Sequence, residues 1–347
     1  MYWSKAKGHK VWDENGNEYI DFSSGIFAAN VGHGNPRVMR AVKDPPFIHC
    51  YTHEHYWRDR YRDLLCEFTG HEYAVMFSAG TEATEAAWKI SRIAKGKSGV
   101  WGLDDSFHGK TFGAQIMAHR INDWRWGGPP DKTCAMIMEP YAPITGRFHA
   151  DELISNIKQF KIDHDLILIA DEIQGGFGRT GKLFGYEYYE DLAIDLVCIG
   201  KGAFSGFPGS GLLGPKDLLA EPAMDLSSTH GGNPLACAVG IVTIEEFKRL
   251  DLVNRSAQMG EVLHKRLSSF PVETYGRGLL AGVNLKIKGL ADKVYERCLN
   301  RGLILVHTGK HTVKIGPPLV ISQRALLQGV RILREVVEEV VDEAEQA

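Results

Sequence analysis

Short apolar runs alternate with amphipathic or glycine-rich stretches over residues 70–215, and this alternation constrains the fold more than any other feature of the chain. The runs are Tyr73–Phe77, Gly99–Leu103, Ala135–Met138, Leu166–Ala170, Leu196–Ile199 and Leu212–Leu213. Runs that are apolar throughout are typical of strands buried on both faces, because the helices that connect parallel strands cover both sides of the sheet. The pattern predicts an α/β fold with a mainly parallel sheet.

The regions on either side of this alternation differ from it. Residues 11–22 place apolar positions around Asn15-Gly16, a pair that favours the tight turn of a β-hairpin. After residue 235, two short strand-like runs, 303–306 and 313–315, are flanked by helical patterns over 244–267, 290–301 and 324–345. The 347 residues suffice for about two domains. We expect a large α/β domain over 41–240, a small α+β domain over 241–347, and an N-terminal segment, 1–40, that joins the small domain.

Charge and cysteine content narrow the class of partner. Lys and Arg total 40 and Asp and Glu total 43, so the formal net charge of -3 gives no basic field that would attract nucleic acid or an anionic membrane. Six cysteines are scattered without a CxxC pair, which is typical of reduced thiols. No apolar run approaches the roughly 18 residues of a membrane span. We expect a cytoplasmic protein that binds small molecules or other protein chains.

Three predicted strand ends carry residues suited to ligand binding, because open parallel sheets bind ligands beyond the carboxyl ends of their strands. Residues 78–81 lead into a helix whose free N–H groups would bind a phosphate, although a plain strand-to-helix turn fits the motif equally well. Asp171 follows the fourth run, and a carboxylate at the end of a buried strand needs a cationic partner to stay ionised. The alternative is a helix N-cap or an ion pair in a loop. Lys201 follows the fifth run, where a lowered pKa would make it a nucleophile toward carbonyls; the alternative is a solvated lysine.

Pyridoxal 5′-phosphate carries all three groups that these strand ends would bind: a phosphate, a ring cation and an aldehyde that captures an amine. Phe107-His108-Gly109 follow the second run and add an aromatic face on which a flat ring could stack. The residues therefore predict pyridoxal phosphate as the cofactor.

Several motifs, in the same order along the chain, resemble those of the class III pyridoxal-phosphate aminotransferases, the family of ornithine, acetylornithine, GABA and ω-amine transaminases. The matching elements are Gly32–Pro36, Gly80–Ala83, Phe107–Gly109, Glu139–Gly146, Asp171–Gly181, Ser228–Pro234 and Pro317–Leu319. The resemblance covers about residues 8–335, in a chain that is short for the family. It implies fold type I, with a mainly parallel sheet in the large domain and a smaller α+β domain.

The resemblance also gives each matched residue a role at the cofactor. Lys201 would bind the cofactor covalently and later move a proton, Asp171 would pair with the protonated ring nitrogen, and Gln174 would hydrogen-bond the ring hydroxyl. The remaining contacts would come from Gly80 and Thr81 at the phosphate, from Phe107 and His108 at the ring, and from Thr229. In this family Thr229 would reach the active site of the neighbouring subunit, which implies a homodimer.

Two departures from the family pattern bear on the substrate. Lys314 stands where members that bind an α-carboxylate usually have arginine, and a lysine cannot form the bidentate fork. Ile144 stands where many members have a second glutamate. Lys314, Phe27 and Trp57 are expected to line this less charged pocket. We therefore expect donors whose reacting carbon bears no carboxylate, such as ω-amino acids, diamines or aryl-alkyl amines, and a 2-oxo acid acceptor such as pyruvate or 2-oxoglutarate.

The sequence thus predicts an ω-transaminase that works by a ping-pong mechanism. An acetylornithine or ornithine aminotransferase is the nearest alternative, and a non-catalytic binding protein on the same fold is a second. Two other motifs are weaker evidence for a function. Residues 209–214 match the dinucleotide fingerprint GxGxxG, but Pro208 and Pro215 bracket them and the expected strand–turn–helix unit with its acidic residue does not follow. The histidine-rich residues 49–55 resemble a metal cluster but lack a second cluster to complete four ligands, so we expect no metal.

Overall fold

The computed structural model describes residues 2–51, 53–118, 130–221, 224–307 and 310–346. The strands are β1 Trp3–Lys7, β2 Lys10–Asp13, β3 Glu18–Asp21, β4 Tyr73–Phe77, β5 Gly99–Gly102, β6 Thr133–Met138, β7 Tyr141–Ala142, β8 Arg147–Phe148, β9 Ile167–Asp171, β10 Leu196–Gly200, β11 Ser210–Gly214, β12 Glu273–Arg277, β13 Leu280–Asn284, β14 Leu303–Ile304, β15 Val306–His307 and β16 Thr312–Ile315. The helices are α1 Ser24–Phe27, α2 Pro36–Ala41, α3 Tyr56–Thr69, α4 Gly80–Lys95, α5 Phe112–Met117, α6 Asp151–His164, α7 Lys216–Leu219, α8 Pro234–Leu250, α9 Leu252–Leu267, α10 Lys288–Asn300 and α11 Gln323–Glu345, with 3-10 turns at Pro130–Lys132, Gly185–Tyr188 and Lys201–Phe204.

A six-stranded sheet, in the order β4-β11-β10-β9-β6-β5, forms the centre of the large region. Strands β10, β9, β6 and β5 are parallel, whereas β11 runs antiparallel to both of its neighbours. The expected mainly parallel sheet is therefore confirmed, with β11 as the reversed strand. Residues 209–214 fall largely within this strand and do not form the turn between a strand and a helix, so they cannot form a dinucleotide-binding turn.

Strand β10 shows why the central runs are apolar throughout. Val197 and Ile199 pack into one buried cluster together with Phe204 and Phe247, while Leu196 and Cys198 pack into a second cluster on the other face. Successive side chains of a strand point to opposite faces, so a sheet that is covered on both sides buries every residue.

The N-terminal and C-terminal parts of the chain share a sheet. The predicted hairpin is confirmed: β2 pairs antiparallel with β3, and β3 then pairs in parallel with β14 through Ile20 and Leu303. A further sheet in the C-terminal part has the order β12-β13-β16-β15. The division at residues 40 and 240 remains a prediction, which this pairing supports.

The helical pattern over residues 244–267 is not one helix. Helix α8 ends at Leu250, and Asp251 takes the left-handed conformation (φ 48°) before α9 begins. The apolar period continues across the break, so the sequence pattern alone does not reveal it.

Helix α1 is a single left-handed turn: its four residues, Ser24 to Phe27, have φ values of 49°, 61°, 64° and 63°. Side chains other than glycine disfavour this conformation, so tertiary contacts must hold it. Ser23 Oγ accepts the N–H of Gly25 at 3.1 Å, and Ser24 Oγ donates to the carbonyl of Gly316. The turn buries Phe27 and leaves Ile26 exposed.

None of the helices in the described part of the chain combines the length and apolar character that a membrane span requires.

Candidate active site

Asp171 and Lys201 lie at one edge of the central sheet. Asp171 is the last residue of β9 and Lys201 follows β10, and these parallel strands pair with Cys198 opposite Asp171. Gly202 must approach Asn30 so closely that a Cβ would collide with the Asn30 amide. The two strand ends therefore bring a carboxylate and an amine to the same site, as the sequence predicts.

The Asp171 carboxylate is buried and oriented from two sides. Its Oδ2 lies 2.7 Å from His108 Nδ1, and its Oδ1 accepts the N–H of Ile173 at 3.1 Å. The carbonyl of His108 in turn accepts the hydroxyl of Thr84, on α4, at 2.9 Å. The carboxylate is thus fixed in place before any ligand binds.

Lys201 is partly exposed. Burial of the amine among protein atoms lowers its pKa to about 8, although the nearby carboxylates of Glu139 and Asp171 act in the opposite direction. An amine with this pKa is in part unprotonated near neutral pH, which makes it a nucleophile toward an aldehyde.

Glu139 is a site residue to which the sequence analysis gave no role of its own. It follows β6, the parallel neighbour of β9, and is buried with its Oε2 accepting the N–H of Phe107 at 2.9 Å. Burial raises the pKa of Glu139 well above its usual range, and the charge of Asp171 adds to this effect. The sequence does contain a signal for Glu139, because Glu139 follows an apolar run, as Asp171 and Lys201 do.

The start of α4 has the features of a phosphate seat. Glu82 accepts the N–H groups of Ser78 and Ala79 at 2.8 and 2.9 Å and so shapes the turn, while helix residues Gly80 and Thr81 begin the first turn, where N–H groups lack helical partners. A Cβ on Gly80 would come within 2.9 Å of the Ile173 side chain. A larger residue at this position would therefore require the Ile173 side chain to move.

Thr229 lies in an exposed turn close to this seat. Its neighbour Ser228 donates to Glu82 Oε1 at 3.1 Å, so the turn lies beside the start of α4 in the same chain. Phe107, the predicted ring-stacking residue, is partly exposed next to Glu139.

The residues predicted to line the substrate pocket lie in different places. Phe27 is buried, with its ring centroid 5.3 Å from Lys314 Nζ. Lys314, on β16, is 2% exposed and donates to the Pro143 carbonyl at 2.5 Å. Trp57 packs instead against Phe47 and with the apolar side chains of α2 and α8. Phe27 and Lys314 are thus brought together, and Trp57 belongs to a separate cluster.

The histidine-rich segment supports a helix start. His55 Nδ1 accepts the N–H of Arg58 at 3.1 Å and thereby caps α3, while its Nε2 lies 2.9 Å from the Gly232 carbonyl. Among the described residues, no group of three or more His, Cys, Asp and Glu side chains is arranged to hold a metal ion.

The residues present fit pyridoxal phosphate. His108 Nε2 and Gln174 Oε1 are buried, and within the described ranges neither has a hydrogen-bond partner, which is rare for buried polar atoms unless a ligand completes the site. Gln174 lies three residues after Asp171, and His108 directly follows Phe107. Lys201 follows β10, the strand next to the one that ends at Asp171. Asp171 would hold the ring nitrogen, Gln174 the ring hydroxyl, Lys201 the aldehyde carbon, and Gly80 and Thr81 the phosphate.

Arg179 connects the elements behind the site. The guanidinium is fully buried and donates through Nη1 to the carbonyls of Leu279 and Pro317 at 3.1 and 2.5 Å, and through Nη2 to Asn30 and Ser24 at 2.7 and 3.3 Å. It thus joins the left-handed turn to the segment after β16. Arg179 lies within the motif Asp171–Gly181, and its structural role has no local signal in the sequence.

Glu172, next to Asp171, should make stability depend on pH. It is 1% exposed, its Oε1 accepts the N–H of Tyr186 at 2.8 Å, and burial raises its pKa from 4.5 to about 8. The folded protein therefore keeps this proton at neutral pH whereas the unfolded chain releases it. Since the folded state binds more protons, the free energy of unfolding must fall as pH rises from about 4.5 to about 8.

We expect Glu172→Gln to remove this pH dependence. The variant should be more stable than the parent protein at pH 8 by on the order of 4 kcal/mol and about equally stable near pH 4.5. Urea unfolding of the parent, of Glu172→Gln and of the exposed control Glu335→Gln, over this pH range, measures the difference. Equal pH slopes for the parent protein and Glu172→Gln would show that Glu172 is ionised in the folded state.

Comparison with known proteins agrees with this site. The family model described as "Aminotransferase class-III" matches residues 1–127 and 115–337. The acetylornithine aminotransferase of Archaeoglobus fulgidus is 31% identical over 95% of this chain and 93% of its own length. Ornithine aminotransferase 1 of Staphylococcus saprophyticus is 30% identical over 96% of this chain and 94% of its own.

Solved structures show the same fold. The ornithine aminotransferase from Toxoplasma gondii, whose structure has partial occupancy of PLP at the active site, superposes with a TM-score of 0.89 at 24% identity, over 99% of this chain and 92% of its own. An S-selective transaminase from Bacillus megaterium gives the same TM-score at 19% identity, over 98% of this chain and 93% of its own. With its fold, its site and its sequence relatives in agreement, the chain belongs to the class III aminotransferases, enzymes of fold type I that use pyridoxal 5′-phosphate.

Proposed function

We propose that this aminotransferase takes the terminal amine of an ornithine-type donor, ornithine or acetylornithine, and passes it to a 2-oxo acid in a ping-pong reaction. The observation that carries the proposal is the state of Lys314, whose amine is buried and donates to the Pro143 carbonyl. An amine engaged in this way is poorly placed to hold a donor by a carboxylate on its reacting carbon. For the 2-oxo acid, which brings such a carboxylate in the second half-reaction, Lys314 would have to leave the Pro143 carbonyl. The δ-carbon of ornithine bears no carboxylate, so the pocket and the names of the relatives favour the same donor class.

The neighbours of Lys314 also support this assignment. Phe27 covers the amine with its ring, and the buried Ile144 adds apolar surface to the segment that carries Pro143. Burial lowers the pKa of Lys314 to about 8, so part of the population is neutral near that pH and attracts a carboxylate less. Diamines and aryl-alkyl amines, the wider set of donors that the sequence favours, also lack a carboxylate on the reacting carbon. The names of the sequence relatives favour ornithine-type donors among these.

The protein residues have distinct tasks in this reaction. Bound pyridoxal phosphate supplies an aldehyde that captures amines and a ring that accepts electrons from the reacting carbon. Asp171 would keep the proton on the ring nitrogen, and His108 orients the Asp171 carboxylate. Lys201 Nζ would be the base that moves a proton from the donor carbon to the former aldehyde carbon of the cofactor.

Two isomers of acetylornithine test the donor assignment. The N2-acetyl isomer has only its terminal amine free, whereas the N5-acetyl isomer has only the amine beside the carboxylate. We expect the cofactor-loaded enzyme to prefer the N2-acetyl isomer by at least about 100-fold in kcat/KM, the scale of one misplaced charged contact. Ornithine, putrescine, 1-phenylethylamine and leucine complete the panel, with pyruvate and 2-oxoglutarate as acceptors. A preference for leucine or for the N5-acetyl isomer would refute the proposal.

We also propose a homodimer in which Thr229 contacts the cofactor phosphate of the neighbouring subunit. Thr229 is exposed in a turn beside the phosphate seat. Next to it, a groove of about 590 Å³ runs between α4, α5 and residues 225–228, and Phe112 on its wall is 61% exposed. An exposed apolar groove beside an active site is suited to a second copy of the chain.

The free state of all six cysteines supports a reducing compartment. We propose the cytoplasm on this ground.

A further inference from the structure

A second groove, of about 520 Å³, shares no lining residue with the candidate active site. It lies between the hairpin β7–β8, the turn Gly185–Tyr188, helix α9 and strand β12. We call it the arginine groove, and its defining residues are Arg147, Phe148, Tyr188, His264, Tyr275 and Arg277. Its volume lies within the range of small-molecule sites.

Both arginines of the groove are stacked on aromatic rings. Arg277 Cζ lies 4.3 Å from the ring centroid of Tyr188 and 5.1 Å from that of Phe148, and Arg147 Cζ lies 4.1 Å from that of Tyr275. Stacking covers the flat faces of a guanidinium and leaves its edge N–H groups available, so Arg277 keeps the planar fork that binds an oxyanion with two hydrogen bonds. Arg147 uses one Nη2 N–H on the Tyr275 hydroxyl and keeps its other N–H groups.

The backbone holds Arg277 at a fixed place. Gly276 (φ 128°) and Gly278 (φ 55°) flank it at the end of the β12–β13 hairpin. A Cβ on Gly276 would collide with the Leu280 carbonyl, and one on Gly278 would collide with the backbone of Thr180. Both glycines are therefore required by close packing, and the guanidinium is positioned before any ligand arrives.

The charges of the groove are not balanced. In the part of the chain that the structure describes, no carboxylate lies within 4 Å of Arg277. Arg147 donates to the Tyr275 hydroxyl, which donates to Glu273, and Glu273 has its own cation, Lys286, at 3.8 Å. Exposed Glu261 also lines the groove. The groove keeps a net positive charge, since two guanidinium groups face one otherwise unpaired carboxylate.

We propose that the arginine groove binds a small anion with two oxyanion groups, one for each guanidinium. The two groups can be carboxylates or phosphates, because both offer paired oxygen acceptors to an arginine. The groove joins residues of the hairpin after β6 to residues of β12 and α9, so a bound anion would connect the large sheet region to the C-terminal sheet.

Calorimetric titration of the cofactor-loaded enzyme with succinate and with pyrophosphate, at constant ionic strength, tests this site. The key variant is the double Arg147→Lys, Arg277→Lys, which keeps the charge and removes both forks; Lys265→Gln, an exposed lysine of α9 outside the groove, is the control. The absorbance of the bound cofactor is recorded throughout, because an anion that binds in the active site would change it.

We expect at least one probe to bind with one equivalent, unchanged cofactor absorbance and unchanged affinity in Lys265→Gln. The double lysine variant should bind it at least about tenfold more weakly. The probe that binds identifies the groups as carboxylates or phosphates. The proposal is overturned if neither probe binds at millimolar concentration, if the double variant binds as well as the parent, or if binding always changes the cofactor absorbance.

Discussion

Lys201→Ala is expected to lower kcat/KM by about 10⁴-fold or more, because it removes both the covalent attachment of the cofactor and the base that moves the proton. The visible absorbance of the lysine-bound cofactor should disappear, while far-ultraviolet circular dichroism stays unchanged. Asp171 and His108 remain in place in this variant, so added pyridoxal phosphate should bind without forming the covalent link.

Lys314 provides a matched control for this experiment. It is a second lysine with a pKa lowered by burial to about 8, but its amine donates to Pro143 instead of facing Asp171. Lys314→Met should therefore keep the cofactor absorbance. If the absorbance survived in Lys201→Ala and vanished in Lys314→Met, the assignment of the two lysines would be reversed.

The Lys201→Ala protein also tests the proposed role of Thr229 across the dimer. In a heterodimer with Thr229→Ala, one site would have an intact Lys201 together with an intact threonine from the other subunit. That site should bind the cofactor as tightly as the parent enzyme. If the site with the intact Lys201 bound the cofactor more weakly than the parent enzyme does, Thr229 would act within its own subunit.

Arg179→Met is expected to destabilise the protein by about 3–5 kcal/mol, because it leaves buried acceptors without their donor. The carbonyls of Leu279 and Pro317 would lose their shared partner, and the left-handed turn would lose its contacts through Ser24 and Asn30. Urea unfolding of the cofactor-free protein measures the loss. Arg179→Lys should recover only part of it, since one ammonium cannot reproduce the guanidinium geometry.

A second arginine, Arg255, serves as a control. It shows whether removing any arginine that donates to two backbone carbonyls costs as much stability as removing Arg179. Arg255 also donates to two backbone carbonyls, those of Leu319 and Ile321, but it is only partly buried. Arg255→Met should cost clearly less than Arg179→Met. Equal costs would contradict the view that Arg179 is the central connection behind the site.

The strand-end rule made much of the active site predictable. Asp171 and Lys201 each follow an apolar run, and the parallel sheet brings those ends together. Glu139 obeys the same rule, since it directly follows the run Ala135–Met138. The pairing of His108 with Asp171, 63 residues apart, depends on tertiary structure and has no local signal.

Other features could not be predicted from local sequence. The short run Leu212–Leu213 indicates a strand but not its direction, and β11 proved antiparallel to both neighbours. The left-handed turn contains Ser24, Ile26 and Phe27, which do not favour positive φ. Contacts with Arg179 and Gly316, far along the chain, impose this conformation.

The parallel pairing of β3 with β14 has a consequence for synthesis on the ribosome. Residues 18–21 leave the ribosome early, but their partner strand at 303–304 is made only near the end of translation. At about 5–20 residues per second, the first strands would wait for many seconds with an unpaired edge. The central sheet, whose six strands lie between residues 73 and 214, could form during that interval. The N-terminal segment would then be among the last parts to fold, and a chaperone that protects nascent β-edges would have its longest opportunity there.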